Sequence, residues 1–252
     1  MSRAASLPRA ALAQAAAELR LTARRGENLL AMLGIPIVVL LFFASSPLLV
    51  LPDRRPVDVL VPGSIALAII ASGLVNLGIA TAFERSYGVL KRLGGSPLGR
   101  PGLVVAKMTA VATIVVAQVV LLLAIASMAL DWEPGAAAPP SMPVIVAGIV
   151  LGTVAFAGLG LLLAGTLRAE ATLALANGLF LAALLLGGIV LPIAQLPGVL
   201  ATVAGFLPAA ALSQALRIGL GSETGDPGAA LLILAVWAVA AASLTVRTFR
   251  WD

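Results

Sequence analysis

The chain has 252 residues, of which 61% are hydrophobic and only 11% are charged, and its mean hydropathy is +1.10. This composition lies outside the range of water-soluble domains and indicates that lipid is the solvent. Because Cys and His are both absent, disulfide frameworks, thiolate or imidazole metal sites and Ser-His or Cys-His nucleophilic pairs are excluded. The formal charge of +5 is better assigned to orientation in the membrane than to nucleic-acid binding.

The first 28 residues are basic and lack an early apolar run, so a cleavable secretory signal is not expected. Leucines spaced among alanines in this region predict a helix that lies at the cytoplasmic interface. The alternative is a disordered basic tail. In the helical case the arginines face lipid head groups; they are Arg3, Arg9, Arg20, Arg24 and Arg25.

Six apolar segments follow, each long enough to cross the hydrocarbon layer as a helix. They lie near 29–51, 62–82, 104–130, 143–167, 173–191 and 229–246. The sequence therefore predicts an all-α membrane protein in two parts, an N-terminal interfacial helix (1–28) and a six-span bundle (29–252).

The stretch between the fifth and sixth segments (192–228) is also rather apolar and resembles a further span. Pro197 and Pro208 argue against that reading, because each proline would break a helix inside the apolar run. Short helices that dip into the membrane or lie on its outer surface are predicted instead.

The basic residues are distributed unevenly between the two sets of loops. With six spans and both termini inside, 13 of the 16 Lys and Arg residues fall on the cytoplasmic side, and only Arg54, Arg55 and Arg217 fall outside. Short cytoplasmic loops retain Lys and Arg, whereas translocated loops do not. A seventh span would move Arg247 and Arg250 outside, so the count predicts six spans with both termini in the cytoplasm.

The segment from Glu84 to Leu98, between the second and third predicted spans, is charged at first and then amphipathic. Val89, Leu90 and Leu93 form one apolar face, while Lys91 and Arg92 point elsewhere. Gly94-Gly95 and Pro97 end the pattern. A short interfacial helix is predicted here, of a kind that fits a groove on a cytosolic partner.

This 84–98 segment resembles the permeases of ABC exporters of the second export class, which include daunorubicin-type drug exporters and polysaccharide exporters. Members carry Glu-Arg-(Glu)-x-Gly-(Thr/Val)-Leu-(Lys/Arg)-x-Leu-x-x-(Ser/Thr)-Pro-Leu after their second span. The matching residues are Glu84, Arg85, Gly88, Leu90, Lys91, Leu93, Ser96, Pro97 and Leu98, and Ser86 replaces the second Glu. The resemblance implies a coupling helix that receives force from the nucleotide-binding subunit, with Leu90 and Leu93 as its anchors.

A second similarity to the same family follows the fifth predicted span, where members carry two short helices at the outer leaflet. The similar residues are Gly188 to Pro192, Leu196-Pro197, Leu207-Pro208, Gln214 to Arg217, and Gly221. The resemblance implies an outer hairpin whose marker residues are Pro192, Pro197, Pro208 and Arg217.

The sequence contains no Gly-x-x-x-x-Gly-Lys-Ser/Thr loop, so nothing in it cradles ATP phosphates in the usual way. The resemblance therefore implies a non-enzymatic transport subunit without its own cofactor, whose partner ATPase binds ATP and Mg. Two ATPase copies, a second permease, identical or homologous, and membrane lipid are the expected partners, and nucleic acid is not. The expected location is the plasma or inner membrane.

A substrate path through such a bundle requires polar residues inside the spans. The preferred candidates are Ser72 and Asn76, spaced i and i+4, and Asn177. The alternative is that these side chains only bond neighbouring helices or their own backbone. A weakly polar passage suits an amphipathic or lipid-like substrate, such as a drug or glycolipid precursor.

Two other function classes remain as alternatives. An ion- or proton-coupled carrier usually holds a titrating acid or His in the membrane, yet the predicted spans carry no acidic residue away from their ends. An intramembrane enzyme is weaker still, since His, Cys and a buried carboxylate pair are all missing.

Overall fold

A computed structural model of the chain describes residues 7–24, 26–46, 54–94, 98–190 and 192–249. Within these ranges every regular element is helical, which confirms the prediction of an all-α protein. The α-helices are α1 (Leu7–Arg24), α2 (Gly26–Ser45), α3 (Pro56–Ile70), α4 (Gly78–Ser86), α5 (Val89–Gly94), α6 (Gly99–Ala129), α7 (Met142–Thr166), α8 (Ala169–Leu186), α9 (Gly198–Gly205), α10 (Pro208–Gly219) and α11 (Gly228–Thr248). A π-helical segment (Ala71–Leu77) joins α3 to α4, and a 3-10 turn (Ile193–Gln195) precedes α9.

Five continuous helical stretches are long and apolar enough to cross a membrane. They are Pro56–Ser86, Gly102–Ala129, Met142–Thr166, Ala169–Leu186 and Gly228–Thr248. The pair α9 and α10 is bent by 81° and would bring the number to six if it crosses as one broken span. The described part of the chain is therefore a multi-pass helical protein with five or six candidate spans.

The predicted first span (29–51) coincides with α2 only in part. Its apolar portion, Met32–Ser45, is shorter than the five candidate spans, and α2 contains Pro36. Residues 47–51, at the far end of the predicted span, lie outside the described residues. The six-span layout thus stays a prediction at this end of the bundle.

The second span begins at Pro56, six residues before the predicted start at Pro62. Pro56 occupies the first turn, where a missing N–H costs nothing because that group has no intrahelical partner. Pro62 lies inside the helix. Asp58, expected in an outer loop, therefore belongs to the first turn of α3 and is buried.

The rod Pro56–Ser86 occupies the centre of the bundle. Residues 57–70 are buried along their whole length, and α2, α6, α7 and α10 pack around them. Where α7 crosses the π-helical segment, a Cβ atom added to Gly160 would overlap the carbonyl oxygen of Gly73. The two backbones approach this closely only because both positions are glycine.

Pro197 and Pro208, predicted to break the apolar run, lie at helix starts. Pro197 is the N-cap of α9, and Pro208 is the first residue of α10. Most of α10 is buried and packs against α3, α7 and α11, whereas α9 is largely exposed. The α10 helix therefore enters the bundle and does not lie on its surface.

Candidate functional site

A cavity of about 630 Å³ opens between α2, the π-helical segment, α4 and α8. Its wall is mostly aliphatic and aromatic, and its hydrogen-bonding side chains are those of Asn76, Glu84, Tyr87 and Asn177. This volume is in the range of small-molecule sites, which combine an apolar wall with few polar groups. The cavity is thus large enough for a drug-sized molecule or for part of a lipid.

Asn76 and Asn177, two of the residues predicted for a substrate path, both line this cavity, each from a different helical element. Asn76 belongs to the π-helical segment and Asn177 to α8. The Asn177 Nδ2 atom donates a hydrogen bond to the carbonyl oxygen of Leu173 at 2.8 Å, one turn earlier in its own helix. That bond fixes the orientation of the amide on the wall.

Ser72, the third predicted path residue, is fully buried and does not line the cavity. Its Oγ atom donates to Oε1 of Gln118 at 2.6 Å, and Nε2 of Gln118 donates to the carbonyl oxygen of Met32 at 3.1 Å. The chain of bonds joins the second span, α6 and α2. Ser72 and Asn76 therefore face different neighbours, Ser72 toward Gln118 and Asn76 toward the cavity.

Gln118 was not predicted as a functional residue. Its signal in the sequence is that it is the one amide side chain in the mostly apolar third span. A buried amide in lipid must find partners, because unsatisfied polar groups are costly there. Gln118 supports the cavity wall from behind, since Met32, which accepts its hydrogen bond, lines the cavity.

The 84–98 segment turns sharply at Tyr87-Gly88 before α5 begins. Gly88 has a φ angle of +70°, a left-handed conformation that glycine adopts without steric cost. The predicted short helix is present as α5. Pro97, predicted to fix the exit from this segment, and Ser96 lie outside the described residues.

The apolar face of α5 is turned toward its own chain. Leu90 is only 1% exposed and clusters with Leu98 and Leu103. Leu93, Ala10, Ala11 and Phe249 pack against this cluster. Leu90 and Leu93 seat α5 on α6 of the same chain, and their expected role as anchors for a partner stays a prediction. The exposed residues of this region are Tyr87, Val89, Lys91 and Arg92.

The two charged residues that open the segment also bind within the chain. The Arg85 guanidinium donates to the carbonyl oxygen of Leu167, at the end of α7. Glu84 receives a hydrogen bond from Lys107 Nζ, with 2.7 Å between Nζ and Oε2. These bonds hold the end of the second span to the fourth and third spans.

Lys107, counted on the cytoplasmic side, lies within α6 and is only 3% exposed. Its ammonium group also donates to Oε1 of Glu18 in α1, at 3.1 Å. We name Lys107, Glu18 and Glu84 the Lys107 junction. Sequence reasoning missed it because Glu18 and Lys107 are 89 positions apart.

The predicted outer hairpin is held by Arg217, which is almost entirely buried. Its Nη1 atom lies 3.9 Å from Oε2 of Glu223, and its Nη2 atom donates to Ser213 Oγ at 3.4 Å. The Ser213 hydroxyl in turn donates to the carbonyl oxygen of Gly187 at 2.6 Å. Neither Arg217 nor the prolines Pro192, Pro197 and Pro208 line the cavity, so this group ties α10 to the end of α8.

Comparison with known families gives one match. The model of the ABC-2 type transporter family matches residues 11–220, which include the cavity, the 84–98 segment and Arg217. No curated protein matches the chain. The match extends over most of the chain, so the chain belongs to the ABC-2 type transporter family of multi-pass membrane permeases, which lack an ATP-binding motif of their own and work with a partner ATPase subunit.

Proposed function

We propose that this chain is the permease half of an ATP-driven exporter of the daunorubicin or multidrug type, moving an amphipathic or lipid-like substrate out of the cytoplasm. The observation that carries the proposal is the cavity between the second and fifth spans, in a chain of the ABC-2 type transporter family. A cavity between helices with mostly apolar walls and few polar groups suits an amphiphile better than a sugar polymer or a hydrated ion.

The two amides supply the polar part of this path. Asn76 and Asn177 each carry one donor group and one acceptor group, so they bond hydroxyl, amide or ester groups without demanding a charge on the substrate. Phe83, Phe180 and Leu181 form apolar wall around them. An amphiphile places its apolar body against these side chains and its polar group at the amides.

The 84–98 segment is the proposed contact with the ATPase. Tyr87, Val89, Lys91 and Arg92 are exposed there and offer an apolar and basic face to a groove on the partner. Leu90 and Leu93 hold this face on the bundle, and Glu84 and Arg85 connect it to the spans. Force applied at the face thus passes into α6 and α7.

The complete exporter in this proposal contains two permeases, identical or homologous, and two ATPase subunits in the cell membrane. Each permease spans the membrane six times with α1 and both termini on the cytoplasmic side, α1 lying at the interface. The charge distribution supports this orientation, because the basic residues of the 84–98 segment then stay inside.

The test is reconstitution of the purified chain in liposomes, alone and with its partner ATPase. We expect ATP hydrolysis only in the complex, together with ATP-dependent uptake of a fluorescent lysophospholipid or of daunorubicin into inside-out vesicles. An ATPase lacking its phosphate-loop lysine is the control for both readouts. Hydrolysis by the single chain, or uptake abolished by a proton ionophore with ATP present, would contradict the proposal and favour a proton-coupled carrier.

A further inference from the structure

We propose that Lys107 is a positioning residue that joins α1 to the end of the second span, so that α1, α4 and α5 move as one body during transport. The inference rests on the proposed function and goes beyond it, because it adds the N-terminal helix to the parts that transmit force. The juxtaposition that carries it is one buried ammonium group held by two carboxylates from different helices.

The geometry of the Lys107 junction favours a permanent connection. Lys107 Nζ lies 3.1 Å from Glu18 Oε1 and 2.7 Å from Glu84 Oε2, while the two carboxylates are mostly covered. Gln14 also donates to Glu18 at 3.0 Å and fixes that carboxylate on α1. A lysine is almost never fully buried unless it is paired, and breaking one partner of a buried ion pair leaves an uncompensated charge.

An apolar contact acts beside the junction and joins the same elements. Ala10 and Ala11 of α1 pack against the cluster of Leu90, Leu98 and Leu103, and Ala15 is buried nearby on α1. Thus α1 packs through alanines on the cluster that contains Leu90, and it reaches α4 through Glu18 and Lys107. The ion pairs and this apolar contact act together with the packing of α1 along α6, so the position of α1 is restrained at several points.

Glu84 adds a link between this body and the cavity. Its side chain lines the cavity and also accepts the Lys107 hydrogen bond. A substrate that displaces or reorients Glu84 therefore acts on the residue that holds α1. Through Glu84, the Lys107 junction connects substrate occupancy of the cavity to the position of the 84–98 segment.

Charge variants can distinguish the connecting role of Lys107 from the general cost of burying an unpaired charge. Lys107→Met leaves two buried carboxylates without a cation and is expected to lower the melting temperature, whatever the role of the junction. The triple variant Glu18→Gln, Glu84→Gln, Lys107→Met removes all three charges and is expected to regain most of that loss. Lys107→Arg keeps the cation and serves as the conservative rescue.

The experiment measures a distance by pulsed electron resonance in the complete complex with its ATPase, in lipid nanodiscs. The chain has no cysteine, so spin labels at Arg20→Cys in α1 and Ser86→Cys in α4 are unique; both positions are exposed. A second pair of spin labels, at Ser86→Cys and Asp226→Cys, reports the conformational change of the whole permease on trapping. Samples are compared without nucleotide and after trapping with ATP and vanadate.

We expect the second pair to change its distance on trapping while the Arg20–Ser86 distance keeps its mean and width. In the triple variant the Arg20–Ser86 distribution broadens or shifts on trapping although the melting temperature is restored, and Lys107→Arg behaves as the parent. Arg24→Gln, a charge removal at an exposed site of α1, is the control and leaves the distance unchanged.

Three outcomes would overturn the inference. An Arg20–Ser86 distance that changes on trapping in the parent protein shows that α1 moves separately, even while ATP hydrolysis stays intact. A triple variant with the parental distribution shows that the junction only fills space. A complex that does not hydrolyse ATP overturns the proposed function and this inference with it.

Discussion

Arg85 donates a hydrogen bond from its guanidinium to the carbonyl oxygen of Leu167, 82 positions further along the chain. Leu167 is the C-cap of α7, so its carbonyl belongs to the group that a helix leaves without intrahelical partners. The cation thus satisfies an orphan acceptor and joins the turn between α7 and α8 to the end of the second span. Glu84 accepts a hydrogen bond from Lys107 of α6. The first two residues of the 84–98 segment therefore bind to different spans, Glu84 to α6 and Arg85 to the end of α7.

Replacing Arg85 by Gln is expected to uncouple the exporter. A hydrogen bond from a charged donor contributes about 1.5–3 kcal/mol, so the variant loses part of that stability and the fixed position of the segment. ATP hydrolysis in the complex should persist while substrate uptake falls. Arg85→Lys should retain part of the uptake, and Arg168→Gln, an exposed neighbour of Leu167, is the matched control. Equal uptake in Arg85→Gln and the control would contradict the role given to this bond.

The exposed face of the 84–98 segment predicts which substitutions release the ATPase. Tyr87→Asp with Val89→Asp should lower recovery of the ATPase in a pull-down, because truncating central contacts of an interface costs about 1–4 kcal/mol. Tyr87 is 74% exposed, so the melting temperature of the permease alone should hardly change.

Leu90→Asp is the companion to this pair and should act differently. It places a carboxylate in the cluster with Leu98 and Leu103 and should lower the melting temperature of the permease itself. If the Tyr87 and Val89 double variant retained the ATPase, while Leu90→Asp lost it without a change in melting temperature, the assignment of the two faces would be reversed.

Asn76→Leu and Asn177→Leu are expected to weaken transport of a polar amphiphile. Each change removes about 1 kcal/mol of hydrogen bonding, which corresponds to roughly fivefold in apparent affinity. The measurement is the substrate concentration that half-maximally stimulates ATPase activity in the complex. Ser72→Ala is the contrast, because it breaks the bond to Gln118 and should lower stability more than affinity. Unchanged stimulation in both Asn variants would make these residues packing groups.

The crossing of α7 over the second span predicts a strong effect of one methyl group. Gly160→Ala places a Cβ atom against the Gly73 carbonyl and should destabilise the permease by about 1–3 kcal/mol, the usual cost of overpacking. Gly178→Ala is the matched control in α8, because nothing lies within 4 Å of its added Cβ. Thermal melting of the two variants in detergent compares them directly, and equal melting temperatures would contradict the close crossing.

The orientation predicted from charge is testable with single cysteines, since the chain has none. Cysteine at Ser2 or at Asp252 should resist an impermeant maleimide applied to whole cells and react after lysis. Cysteine at Arg54 should react from outside, because that loop is assigned to the opposite side. Labelling of either terminus in intact cells would reject the arrangement with both ends inside.

Some of this architecture is readable in the sequence because it depends on local properties. Span length, the breaks at Pro197 and Pro208 and the short helix at Val89–Gly94 follow from apolar run length and from proline and glycine chemistry. The pairing of Asn76 with Asn177 in one cavity was also accessible, because polar side chains in apolar helices are few. The burial of Ser72 was not, since its partner Gln118 lies 46 positions further along the chain.

The orientation of α5 and the Lys107 junction depend on contacts between distant parts of the chain. An apolar face such as that of Leu90 and Leu93 has the same periodicity whether it covers a partner or its own bundle. A lysine at the start of a span usually reports topology, and only the placement of Glu18 turns Lys107 into an internal group. Such pairings need the tertiary arrangement, which a single sequence does not contain.

Phe249 follows α11 and packs on the cluster that seats Leu90. During synthesis the 84–98 segment leaves the ribosome long before α11, so its apolar seat stays incomplete until that helix has inserted. The packing of this cluster is therefore completed only after α11 has been synthesised. A chain that ends before α11 lacks the Phe249 contact and leaves the Leu90 cluster partly uncovered.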